Sequence, residues 1–112
     1  MKITAKFPKS SRLLRKNDFS SLRENSFSIP SKGFRFICKI TPESNSSRLG
    51  LAVSSQVGNA IKRNKIKRLV REEFRKTSFV KPFDFLFIPS KNIDVLNLST
   101  NLKKFFEKSK EF

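Results

Sequence analysis

The stretch FDFLFIP, from Phe83 to Pro89, constrains the fold of this chain more than any other segment. It is apolar at nearly every position and is bounded by prolines, Pro82 and Pro89. A strand that is covered on both of its faces has this pattern, because neither face needs polar side chains. We therefore predict a strand that other elements cover on both faces.

A second segment, FRFICKI, alternates between two sets of residues. The first set points to the core and consists of Phe34, Phe36, Cys38 and Ile40. The second set points the other way and consists of Arg35, Ile37 and Lys39. Because successive side chains of a strand point to opposite faces, this pattern predicts a strand with one core face and one partly basic face.

Two more strands complete the predicted sheet. RLGLAVS alternates between larger apolar residues and the small residues Gly50, Ala52 and Ser54, which leave room for a backbone or a nucleic acid to approach. SFSIPS is a candidate for a short first strand. The polar run TPESNSSR between two of the strands reads as a loop.

Helical patterns lie before, between and after the strands. Asn17 can cap a short helix that ends near Asn25, and Ala60 to Lys76 forms a basic helix. Leu98, Leu102, Phe105 and Phe106 form the apolar stripe of a last helix. The order α-β-β-β-α-β-α predicts an α/β (α+β) two-layer sandwich with a mixed four-stranded sheet.

Length and charge narrow the class of protein. The 112 residues suffice for one domain, 1–112, in which residues 1–16 form a basic arm that contains Lys and Arg but no acid. The net charge of +16 arises from 25 Lys and Arg against 9 Asp and Glu. Such an excess repels itself, so we expect a polyanion as the usual partner. The 13 Phe provide enough apolar bulk for a core, which argues against a disordered basic tail.

Several kinds of site are excluded by composition. The single cysteine, Cys38, allows no intramolecular disulfide and no thiolate zinc cluster, and we expect it to be a small core residue. The absence of histidine removes the commonest general base. No apolar run is long enough to span a bilayer, and MKITAKFPKS lacks the apolar part of a secretory signal, so we expect a cytoplasmic protein.

The basic helix divides into two faces at 100° per residue. Ile66, Leu69, Val70 and Phe74 occupy one arc, which we expect to lie on the sheet. The opposite arc carries Asn64, Lys67, Arg68, Arg71 and Arg75. Like charges at three- and four-residue spacings destabilise an isolated helix, so a ligand of opposite charge is expected to offset them. Arg suits such a ligand because its planar group can bridge two phosphate oxygens. This face therefore suggests a phosphate backbone as ligand, although the charge alone does not distinguish RNA from DNA.

Two ordered motifs resemble one known family. The run from Arg48 to Arg75, RLGLAVSSQVGNAIKRNKIKRLVREEFR, is similar to the signature of the bacterial ribonuclease P protein subunit. Upstream, RLLRKNDF is similar to the same family's N-terminal pattern of R-L followed by D-F. The resemblance extends over most of the chain and is weak only in the last fifteen or so residues.

The resemblance implies a subunit of a ribonucleoprotein endonuclease. In such a holoenzyme a catalytic RNA removes the 5′ leader of precursor tRNA by hydrolysing one phosphodiester, with Mg²⁺ as the metal of the RNA-catalysed reaction. The protein binds the catalytic RNA and the leader, and contributes no catalytic residue of its own. The implied fold, like that of the second domain of a small-subunit ribosomal protein, has a left-handed crossover between the third strand and the basic helix, an exception to the usual hand.

The resemblance also assigns residues to two surfaces. The helix surface that contacts the catalytic RNA consists of Arg63, Asn64, Lys65, Lys67, Arg68, Arg71 and Arg75. The leader cleft consists of Arg12, Phe19, Arg35, Ile37 and Lys39. Lys65 stands where the family usually has a second arginine, and Arg23 and Ile37 replace residues that are often aromatic, so base stacking falls to Phe19 and to arginine planes. Metal sites stay unassigned, because Glu43 is a single carboxylate in a Ser-rich loop.

Two alternatives remain open at this stage. A general RNA-binding or ribosomal protein with the same basic helix would bind many structured RNAs alike, without accelerating leader removal by one cognate RNA. A self-sufficient nuclease is disfavoured, because the chain has no histidine and no carboxylate pair stands out at a metal-binding spacing. Neither DNA nor a membrane is expected as a partner.

Overall fold

A computed structural model describes residues 26–40, 46–79 and 82–112. The predicted basic arm, the predicted first helix and the loop that contains Glu43 lie outside these described residues.

The described strands form one mixed four-stranded sheet, as predicted. They are β1 (Phe27–Ser31), β2 (Phe34–Ile40), β3 (Arg48–Leu51) and β4 (Phe83–Pro89). The spatial order is β1-β2-β4-β3, in which the β1–β2 and β2–β4 pairs are antiparallel and the β4–β3 pair is parallel. Two parallel neighbours need a long connection, and helix α1 (Ala60–Lys76) provides it. The left hand of this crossover stays a prediction.

Helices α1 and α2 (Leu98–Ser109) cover the same face of the sheet. The ring of Phe36 on β2 stacks on Phe105 of α2, with centroids 4.1 Å apart, and Phe85 on β4 contacts Phe74 of α1 edge-on at 6.3 Å. Phe106 of α2 lies 6.1 Å from Phe74, so the two helices also pack on each other. This arrangement makes a two-layer sandwich with an aromatic core between sheet and helices.

The alternation predicted for β2 is confirmed with one correction. Phe34, Phe36 and Cys38 are buried on the helix side, whereas Ile40 is 44% exposed. Ile40 is the last residue of the strand, and the core cluster does not extend to it. Its position in the alternation therefore predicted the correct face, but burial in the core was wrong.

Strand β4 lies between β2 and β3, and its two faces differ in burial. Phe83, Phe85 and Phe87 are all but inaccessible on the helix side. On the opposite side Leu86 and Ile88 are only half-buried. The prediction that both faces are fully covered is therefore wrong along part of the strand within the described residues.

The β1–β2 hairpin docks on the loop that follows β4. Gly33 has φ +80°, and a Cβ there would lie 2.9 Å from Cα of Ile93, so only glycine fits this turn without strain. The Gly33 carbonyl accepts hydrogen bonds from the backbone N–H of Ser90 at 2.9 Å and from its hydroxyl at 3.2 Å. These contacts hold the two loops together at one end of the sheet.

Candidate RNA interface

Helix α1 begins at a turn that its sequence specifies closely. Gly58 has φ +153°, a backbone conformation that side chains rarely adopt, and Asn59 caps the helix by accepting a 2.9 Å hydrogen bond from the N–H of Lys62. The guanidinium of Arg63 reaches back, and its Nε donates to the Gly58 carbonyl at 3.1 Å. Arg63 is thus a predicted RNA contact whose direction is set by the turn that precedes the helix.

The outer face of α1 matches the helical angles derived from the sequence. Ile66 and Val70 are fully buried, and Phe74 is nearly so, on the side that faces the sheet. The exposed predicted residues are Asn64, Lys65, Arg68 and Arg75. The predicted residues on the flanks are half-buried and comprise Arg63, Lys67 and Arg71. Six of the seven predicted residues lie on the side of the helix away from the core, and Arg63 lies at its border beside buried residues. We call the surface formed by all seven the α1 outer face.

The two acids of α1 do little to neutralise that face. Glu72 approaches Arg68 at 3.8 Å, and the two side chains are 37% and 64% exposed, so solvent screens the pair. Glu73 is buried and pairs with Lys76 at 3.5 Å, away from the α1 outer face. The helix carries eight cations against these two acids, so the outer face keeps a strong positive potential.

One apolar residue on this face escaped the sequence analysis. Ile61 is 81% exposed in the first turn of α1, one turn before the exposed Asn64 and Lys65. Its helical angle predicts this outward direction, although an apolar side chain is not part of the charge pattern of the helix. It adds an exposed apolar side chain to an otherwise polar surface.

A second candidate surface lies on the side of the sheet opposite α1 and α2, which we call the second face. The pairing of β2 with β4 places Arg35 beside Ile88, Ile37 beside Leu86, and Lys39 beside Asp84. Arg35 is exposed, and Ile37 and Lys39 are half-buried. The three strand residues predicted for the leader cleft therefore share one face. Arg12 and Phe19 lie outside the described residues.

A buried ion pair lies at one end of the second face. Arg48 of β3 donates two hydrogen bonds to the Asp84 carboxylate, from Nε to Oδ1 at 2.9 Å and from Nη2 to Oδ2 at 2.6 Å. Asp84 is 1% exposed, while the Arg48 side chain is 28% exposed. The register aligns Arg48, Asp84 and Lys39 across three neighbouring strands. Sequence alternation alone had no means of finding this row, because strand order determines it.

The opposite end of the second face carries cations on its loops. Lys32 adjoins Gly33 and Lys91 adjoins Ser90, and both lysines are exposed. Because Gly33 and Ser90 are hydrogen-bonded, the fold brings these lysines to the end of the sheet where Arg35 lies. Asp94, the acid of the same loop, binds the side-chain amide of Asn97 at 2.7 Å, and this bond lowers the pKa of its carboxyl.

Within the ranges that the structure describes, no group of three His, Cys, Asp or Glu side chains could hold a metal ion. Cys38 is buried, and desolvation raises the pKa of its thiol to about 12, so it remains a protonated core residue. The same ranges contain no helix of the length and apolarity that crossing a membrane requires. The α1 outer face and the second face are both suited to phosphate and single-stranded nucleic acid.

Sequence comparison places this architecture among known proteins. The family model for Ribonuclease P matches residues 7–110. The ribonuclease P protein component of Geobacter sp. (strain M21) is 36% identical over 108 residues, which cover 92% of this chain and 91% of the relative. The corresponding protein of Macrococcus caseolyticus (strain JCSC5402) is 32% identical over 109 residues, covering 93% of this chain and 94% of the relative.

Solved structures agree with this result. The RNase P protein of Staphylococcus aureus superposes with a TM-score of 0.78 at 29% identity, covering 91% of this chain and 97% of that one. The RNase P protein from Thermotoga maritima gives 0.71 at 28% identity, covering 87% and 96%. These likenesses confirm the predicted fold class.

Proposed function

Since the chain belongs to the ribonuclease P protein family, we propose that its two surfaces hold two different RNAs within one holoenzyme. Family membership makes the chain the protein subunit of ribonuclease P, a ribonucleoprotein of tRNA processing whose RNA is its partner. In our proposal the α1 outer face binds that catalytic RNA. The second face binds the 5′ leader of precursor tRNA.

The α1 outer face suits a folded RNA because it is rigid, cationic and convex. Ile66, Val70 and Phe74 fix the helix on the sheet, so Arg68 and Arg75 project from a fixed frame. Planar guanidinium groups can each bridge two phosphate oxygens, and the flanking lysines add charge without fixing orientation. Binding releases counterions from the RNA and should depend steeply on salt.

The second face suits a single strand that lies extended across the sheet. Arg35 and Lys39 offer cations at two positions along β2, and Ile37 with Leu86 provides an apolar strip between them. Lys32 and Lys91 continue the charge beyond the strand end next to Arg35. Such an alternation of cations and apolar surface binds a backbone and its bases without demanding a particular sequence. Phe19, and Arg12 in the arm, complete the proposed cleft.

The proposed mechanism divides the work between RNA and protein. The catalytic RNA, with Mg²⁺, carries out hydrolysis, and the protein supplies no catalytic group. The protein's cations lower the repulsion between two polyanions that must lie side by side during cleavage. The proposed site of action is the cytoplasm.

Reconstitution tests this proposal. The protein is added to the catalytic RNA of its own organism at low Mg²⁺, and 5′ cleavage of a precursor tRNA is measured. We expect faster leader removal than with the RNA alone, and no cleavage by the protein alone. An equal effect on unrelated structured RNAs, or no effect with the cognate RNA, would support a general RNA-binding protein instead.

A further inference from the structure

A groove between the C-terminal half of α1 and helix α2 has no part in the function proposed above. Its volume is about 250 Å³, below the roughly 300–1,000 Å³ of pockets that enclose drug-sized ligands. Its lining includes Glu73, Lys76, Lys103, Phe106, Glu107 and Lys110. A groove of this size fits one planar base more readily than a large cofactor.

The Glu73 carboxylate lies at this groove with an unmet need for hydrogen bonds. Its side chain is 7% exposed, and Lys76 approaches it with Nζ 3.5 Å from Oε2. Thr77 donates to the backbone carbonyl of Glu73 and not to its carboxylate. Among the described residues, Lys76 is the one cation paired with this carboxylate. A buried carboxylate normally has several hydrogen-bond partners, so the Glu73 carboxylate is suited to a ligand that donates N–H groups.

The lysines around Glu73 restrict the charge of that ligand. Lys103 forms no ion pair with any residue that the structure describes, and Lys110 pairs with the exposed Glu107 at 3.5 Å. Lysines repel a bare metal ion, while Glu73 and the C-terminal end of α1 repel a simple anion. A ligand that carries both N–H donors and a phosphate can bind the Glu73 carboxylate and the lysines at the same time. A nucleotide has this composition.

The carboxylate further selects among the bases. Guanine presents two adjacent donors, N1–H and N2–H, on one edge, which can bond both oxygens of a carboxylate. Adenine and cytosine place a ring-nitrogen acceptor beside their amino group, and uracil flanks its single N–H with carbonyl oxygens. These acceptors would face a carboxylate oxygen unfavourably.

We propose that the groove between α1 and α2 holds one unpaired guanine of the RNA that lies on the α1 outer face. Glu73 accepts hydrogen bonds from the base, and Lys103 contacts an adjoining phosphate. Lys76 connects the two surfaces, because it lines the groove and its side chain is 64% exposed at the end of α1. This inference depends on the proposed binding of RNA by α1.

Nucleotide titration of the ¹⁵N-labelled protein tests the groove directly. GMP, AMP, CMP, UMP and inorganic phosphate are added separately while the backbone amides of groove residues are followed by NMR. We expect GMP to shift these amides and to bind roughly fivefold or more tightly than AMP. Glu73→Gln should abolish this preference, because an amide N–H then faces the donors of guanine. Lys104→Ala, which removes an exposed lysine of α2 that does not line the groove, should retain it.

Four results would overturn the inference. Glu73→Gln could leave the preference for GMP unchanged, or inorganic phosphate could produce the same shifts as GMP, which would indicate a plain anion site. If Glu73→Gln does not fold, Lys103→Glu is used as the test variant in its place. Unchanged GMP binding by Lys103→Glu would be the third result against the inference. If Arg68→Ala weakens holoenzyme assembly while Glu73→Gln does not, the groove fails as an RNA site and the function proposed for α1 stands.

Discussion

Replacing Arg68 by alanine should weaken assembly with the catalytic RNA without weakening the fold. The Arg68 side chain is 64% exposed, and its contact with Glu72 is a screened surface pair at 3.8 Å. Such a pair within a helix contributes only about 0.3–0.5 kcal/mol. Alanine also has the highest helix propensity. The variant should therefore unfold at nearly the same denaturant concentration as the parent chain.

The expected loss of affinity follows from counterion release. One phosphate contact adds about 0.7 to 0.9 to the slope of log K against log salt. A contribution of about 0.8 multiplies the affinity by roughly sixfold between 1 M and 0.1 M salt, or about 1 kcal/mol. Arg68→Ala should therefore bind roughly sixfold more weakly at 0.1 M salt, and the difference should vanish towards 1 M.

A salt titration of binding to the catalytic RNA measures both quantities together. The control is Lys104→Ala, which removes the same charge from an exposed position of α2. The control should retain the parental slope, because its charge lies outside the α1 outer face. An unchanged slope for Arg68→Ala would refute the assignment of α1. Equal losses for the two variants would show that net charge matters and position does not.

Four further predictions concern stability and the leader. Asp84→Ala should destabilise the fold by about 3 kcal/mol, because Arg48 then loses the carboxylate to which it donates two hydrogen bonds. Urea denaturation followed by circular dichroism measures this, and a loss below about 1 kcal/mol would contradict the stabilising role of the pair. Gly58→Ala should cost about 1–3 kcal/mol in the same assay, since alanine rarely adopts φ +153°, and parental stability would show that the turn relaxes. The pKa of the Cys38 thiol is about 12 in the folded chain, against an ordinary value of 9.0. The stability that this difference contributes is therefore complete below pH 9 and is lost as the pH rises towards 12. Cys38→Ala should lack this part of the loss of stability at alkaline pH, as measured by unfolding at a series of pH values. Phe19→Ala should weaken binding of precursor but not of mature tRNA by the holoenzyme, and equal losses on both would remove Phe19 from the leader cleft.

Periodicity predicted the described elements of this fold well, because burial in them is periodic. The 100° rotation of a helix separates Ile66 and Val70 from Arg68, and the structure buries the first two while exposing the third. The two-residue repeat of β2 likewise separates Phe36 from Arg35. In both elements one face packs against a large neighbour, which is the condition under which such patterns are informative.

Periodicity predicted burial wrongly at positions that the packed layer on the other side of the sheet does not reach. Ile40 continues the alternation of β2 beyond the last covering residue, and Leu86 and Ile88 extend an apolar run onto a half-exposed face. A sequence pattern indicates which way a side chain points. How far the opposite layer extends depends on the packing of distant segments.

The sequence predicted only part of the candidate site, for a related reason. Charge and helical angle predicted the α1 outer face, but the row of Arg48, Asp84 and Lys39 exists only because β4 lies between β2 and β3. Lys32 and Lys91 lie at the same end of the sheet because their neighbours Gly33 and Ser90, 57 positions apart, are hydrogen-bonded. Contacts of this kind depend on strand order, which local sequence does not encode.

The central claim, that two surfaces hold two RNAs, is tested most directly by comparing precursor and mature tRNA on reconstituted holoenzymes. Arg35→Ala changes an exposed residue of the second face, and Arg68→Ala changes the α1 outer face. At saturating protein, Arg35→Ala should lower the affinity for precursor tRNA several-fold and leave that for mature tRNA unchanged. Arg68→Ala should leave the ratio of the two affinities at its parental value. The claim is contradicted if Arg35→Ala weakens both tRNAs equally, or if Arg68→Ala lowers the ratio as much as Arg35→Ala does.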